Sequence, residues 1–238
     1  MIPVEELLYE FNMSFNKVAT NKHQSIPKED QIVFFNKAQI NLINKKIDAN
    51  DQGLGLDSFK KRYEDLESLI ETHKILPVSE DKISKLNKFT SDLTKLDPIY
   101  MFYIDSYFLC SKGTCKNRVV TTNKIKHADI HTVLVNSNTN PSFEYQECPV
   151  TISNHILEFY TDGSFIPSNA YISYLRYPKK IDFEGYIDLD GNPSVTQNCE
   201  LNYYLKDELV NLAVLAAALD TENQGAVQGA QVKLQNNE

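Results

Sequence analysis

Helical and strand-like hydrophobic patterns occupy separate stretches of this chain, and that segregation constrains its fold more than any other feature. From Val4 the residues Val4, Leu7, Leu8, Phe11, Phe15 and Val18 recur at helical spacing, with Pro3 tolerated in the first turn. Asn21-Lys22-His23 breaks the pattern. A second helix is expected after Pro27, with Glu29 and Asp30 near its positive end and a stripe of Ile32, Phe35, Ala38 or Gln39, Leu42, Ile43 and Ile47. A third is expected to start at Asp57 or Ser58 and to carry Phe59, Tyr63, Leu66, Leu69 and Ile70. Near the other end, LKDELVNLAVLAAALD predicts a strong helix over 204–220, whose small side chains allow close packing.

Between these helices the pattern changes. Residues from Ile75 to Leu96 fit a helix or a strand equally. After Pro98, Ile99–Ile104 and Tyr107–Leu109 are aromatic-rich strand material, and a turn at Ser111–Thr114 returns the chain along Arg118–Thr121. A short helix is expected over 126–135, and further strands at Phe143–Tyr145, His155–Tyr160 and Tyr171–Leu175. Because helices and strands segregate along the chain, the class expected is α+β: an N-terminal helical region, a β-rich middle of antiparallel strands, and a C-terminal helix packed back. Residues 1–222 are expected to form one domain, helical over 1–97, β-rich over 98–203 and helical again over 204–222. The polar 179–198 stretch reads as an extended loop or arm, and the Gln- and Asn-rich 223–238 as a mobile tail or interface arm.

Charge narrows the function classes. The formal net charge is −8 and the isoelectric point about 5.2, so binding to nucleic acid over the whole surface is disfavoured. No run of about 18 apolar residues exists to span a bilayer, and MIPVEELLYEF lacks the basic start of a secretory signal. Folding in a cytoplasm is therefore expected, with Cys110, Cys115, Cys148 and Cys199 as free thiols.

The chemical motifs are thin. His127 and His131 stand four apart without a third metal ligand in sequence. Cys110 and Cys115 flank a Lys-Gly turn and read as reduced cross-strand cysteines. Asp188-Leu189-Asp190-Gly191-Asn192 resembles the start of a calcium loop, but the downstream glutamate is missing and a β-turn is the better reading. Gly53-Leu54-Gly55 lacks the lysine of a phosphate loop. No cofactor, metal or catalytic set is read from the sequence. The candidate interface is Tyr174, Arg176, Tyr177, Lys179 and Lys180. These aromatics and cations could touch a nucleic-acid backbone, but a strand end packed on a neighbouring subunit explains them as well.

Four segments carry a resemblance: Phe35-Asn36-Lys37-Ala38-Gln39, Lys124–Ile130, Tyr171-Ile172-Ser173-Tyr174-Leu175-Arg176-Tyr177-Pro178-Lys179-Lys180-Ile181, and Cys199-Glu200-Leu201 followed by the helix Glu208–Val214. Together they resemble the neck and ring proteins of tailed bacteriophages, closest to virion structural proteins of crAss-like phages. The resemblance implies a non-enzymatic subunit of a homo-oligomeric ring in the neck or tail barrel. Such rings commonly have twelve copies. Its partners would be the portal and other neck or tail proteins, with DNA at most in transit and no membrane. Assembly would take place in the host cytoplasm. The alternative is a monomeric assembly adaptor or chaperone-like module that is absent from the finished particle.

Overall fold

The computed structural model describes residues 1–16, 26–48, 64–81, 86–187, 191–221 and, near the end, 227–228, 230–232 and 234. The class is α+β. The chain forms two compact units, Ile70–Tyr177 and the pair of segments Met1–Leu69 and Pro178–Glu238. Three strands lie before Leu93, within the 1–97 stretch expected to be helical.

The two-segment unit is helical. α1 (Val4–Asn16), α2 (Lys28–Asp48) and α4 (Lys206–Asp220) form where the periodicity predicts. Phe11 stacks on Phe15 and meets Phe35 edge-on, each pair with centroids 5.7 Å apart. α4 buries Leu209, Val210, Ala213, Val214, Ala217 and Ala218, and its alanines let α2 approach closely. Lys46 bridges Asp65 at 3.4 Å and Glu208 at 2.9 Å, while the Tyr204 hydroxyl donates to Asp65 at 2.6 Å. Asp65 is thus a buried carboxylate with compensating partners. Of the predicted third helix, only Glu64–Leu66 and a 3₁₀ turn at Glu67–Leu69 lie among the described residues. Ile70 already belongs to a strand. In the expected tail, residues 227–228 and 230–232 are helical and Ala230 is buried.

The other unit is a sheet of eight strands: β1 (Ile70–Pro77), β2 (Ser79–Glu80), β3 (Lys88–Asp92), β4 (Tyr100–Lys112), β5 (Cys115–Lys124), β6 (Glu147–Ser153), β7 (Ile156–Tyr160) and β8 (Ile166–Arg176). Their order is β1-β8-β4-β5-β6-β7-β3-β2. The first and last strands of that order are separated in sequence by Val78 alone, and the Ser91 hydroxyl on β3 donates to the Pro77 carbonyl on β1 at 3.0 Å. The sheet consequently curls until its ends meet, forming a barrel that leaves little open edge. All pairings are antiparallel except β5–β6, which is parallel and joined through α3 (Ile130–Val135). The interior holds Phe108, Val120, Val150, Phe159, Phe165, Ile172 and Tyr174 among others. It also encloses three hydroxyls. Ser106 and Thr122 Oγ atoms lie 2.7 Å apart, the Tyr103 hydroxyl is 2.9 and 3.1 Å from them, and Thr122 donates to the Ser106 carbonyl at 2.7 Å.

Candidate interaction surfaces

The five residues singled out from sequence do not behave as one surface. Tyr174 is fully buried inside the barrel, and its hydroxyl donates to the Pro98 carbonyl at 2.7 Å. Burial pushes its phenol up to about 12. It is therefore a core residue, and its place in the candidate interface is corrected: Ala170, Ile172 and Tyr174 share the inward parity of β8. Arg176, also on β8, is held by Glu71 of β1 at 3.5 Å and donates to the Tyr177 carbonyl at 3.3 Å. Tyr177 is 48% exposed and anchored through its amide to the Ile99 carbonyl. In the helical unit, Lys179 donates its amide to Glu200 at 2.9 Å and places its ammonium 3.6 Å from the same carboxylate. Lys180 is exposed.

The outer wall of the barrel carries a surface that the sequence did not announce. Ile75, Tyr171 and Tyr107 stand in register across β1, β8 and β4, with Thr121 next on β5. Leu109 and Val119 form the adjacent row. The Tyr107 and Tyr171 rings stack at 4.9 Å and 3°. His73 reaches Tyr107 edge-on at 5.6 Å because β1 bulges between Glu71 and Lys74, where His73 takes φ 55°. Ile75 is 59% exposed and Val119 44%. The row is invisible in sequence because Ile75, Tyr107 and Tyr171 lie on three separate strands far apart along the chain; only strand pairing brings them together.

A polar network occupies the wall over β3, β7 and β6. Lys88 lies 2.8 Å from Asp81 and 3.0 Å from Glu158; Glu158 also accepts from the Tyr160 hydroxyl at 2.9 Å and Thr151 at 3.0 Å. Burial would raise the Glu158 carboxyl, but the bonds from Lys88, Tyr160 and Thr151 outweigh it and hold the group below its ordinary range. The hydrogen bonds to Asp81 and Glu158 hold the Lys88 ammonium above its usual value. Beside this network lies a cleft of about 410 Å³ lined by Glu80, Asp81, Asn87, Lys88, Phe89 and Phe165. Lys88 spends its charge on two carboxylates, so it has little left to offer an anionic ligand.

His127 lies on a 3₁₀ turn before α3 and His131 on α3 itself, so they are not two positions of one regular helix; His127 Nδ1 is 3.8 Å from Glu158. Among the described residues, no group of three metal-ligating side chains converges. Cys110 and Cys115 are free and do not oppose each other: Cys110 faces Arg118 and Cys115 faces Lys112. Cys110 is buried and Cys115 exposed. The two are reduced and lie on the paired strands β4 and β5 at the hairpin, as the sequence suggests, without being register partners.

Within 179–198, the described residues on either side of 188–190 pair as an irregular hairpin. Asp182 and Gln197 exchange backbone hydrogen bonds at 3.0 and 2.9 Å, and Ile187 bridges Pro193. The Phe183 and Tyr186 rings lie 5.1 Å apart, with Lys28 over Phe183. Asp188–Asp190 of the calcium-like motif lie outside the described residues; Gly191 takes φ 83° beyond them.

No protein-family model matches the chain, and no curated protein matches it in sequence. Among the described residues, no helix is long and apolar enough to cross a membrane.

Proposed function

We propose that this chain is a virion structural protein, one subunit of a homo-oligomeric ring between the portal and the tail of a tailed phage. The observation that carries the reading is the outer barrel wall, where Ile75, Tyr171, Tyr107, Leu109 and Val119 present a continuous aromatic and aliphatic face across four strands. A contiguous apolar face of this kind marks a surface that another protein covers. The resemblance at Phe35–Gln39, Lys124–Ile130, Tyr171–Ile181 and Cys199–Val214 supports a ring of identical copies as the cover. A heterologous contact that closes on itself makes such a ring from one kind of subunit. The net charge of −8 suits a conduit wall that lets DNA pass without gripping it.

The test is quantitative mass spectrometry of purified virions of the encoding phage. Peptides of this chain at a fixed, multiple copy number per particle are expected. Their presence in assembly intermediates and absence from mature virions would replace this reading with the assembly adaptor.

A further inference from the structure

We draw no further inference here: the strongest candidate, the cleft of about 410 Å³ beside β2, β3 and the turn at Gly163, has its Lys88 ammonium already committed to Asp81 and Glu158, and no buried polar side chain lining it lacks a hydrogen-bond partner, so nothing in it points to the chemistry of a ligand.

Discussion

The Val4 amide donates to the side-chain oxygen of Asn198 at 3.1 Å, so the first turn of α1 is capped by a residue 194 positions away. Beside it, Ile2 and Cys199 exchange backbone hydrogen bonds at 2.8 and 3.0 Å. Capping normally comes from the residue just before a helix; here the base of the arm performs it. Replacing Asn198 by Ala is expected to destabilise the fold by about 1 kcal/mol. The melting temperature should fall by roughly 2–4 °C, and Asp at 198 should restore most of the loss in calorimetry.

Gly163 makes a sharper demand. It takes φ 80°, and a Cβ there would sit 2.7 Å from Asn87 Nδ2. Gly163→Ala should cost about 1–2 kcal/mol from backbone strain and crowding together. Adding Asn87→Ala relieves only the crowding, so in a double-mutant cycle by urea denaturation part of the loss should return and part remain.

Inside the barrel, Thr122 donates to the Ser106 carbonyl and also meets the Ser106 and Tyr103 hydroxyls, whereas the Tyr103 hydroxyl meets only the other two hydroxyls. Thr122→Val should therefore cost more, about 1–3 kcal/mol, than Tyr103→Phe, about 1 kcal/mol. Chemical denaturation of the two variants gives the order directly; equal losses would show that the triangle is not organised around Thr122.

The Glu158 network predicts an acid-labile component of stability. The folded carboxyl lies below its ordinary value of 4.5, so the stabilisation is complete above that value and is lost as pH falls through the lower folded pKa. Denaturation midpoints measured from pH 7 down to pH 3, roughly the span of a carboxylate titration, should drop more steeply for the native chain than for Glu158→Gln. Parallel curves would remove the network from the account.

The four cysteines should separate by reactivity. Burial pushes Cys110 and Cys199 up to about 11 and Cys148 higher still, while Cys115 is exposed. A thiol reagent at neutral pH should titrate one group in the folded protein and all four after unfolding. Fast labelling of a second thiol would mean that the barrel opens far more readily than its packing implies.

Helical periodicity was a sound guide where one face is buried against another helix, which is why α1, α2 and α4 were legible from Phe11, Phe35 or Leu209 alone. Strands were harder, for reasons visible at particular residues. Leu66, Leu69 and Ile70 keep helical spacing, yet the helix stops and Ile70 pairs with Leu175 on β8. β6 escaped notice because Pro149 interrupts it, and proline ordinarily argues against an interior strand. Phe143–Tyr145 has strand-like composition but forms turns, with Phe143 buried in the core. Tyr174 looked superficial because Arg176 and Lys179 follow it, although its parity with Ile172 already pointed inward. The outer row of Ile75, Tyr171 and Tyr107 depends on register, and register is a property of pairing that no local window contains.

The barrel is inserted between the two segments of the helical unit, and that arrangement sets a schedule on the ribosome. Every strand has been synthesised by Arg176, while α1 and α2 still lack α4, the helix they pack against, until Asp220 has emerged. Domains form as units during synthesis, so the later-completed half must hold Phe11, Phe35 and Leu42 without their cover while the intervening half matures. The nascent chain thus carries an exposed greasy helix pair through most of its translation, and a chaperone that engages such helices would find its substrate during that interval.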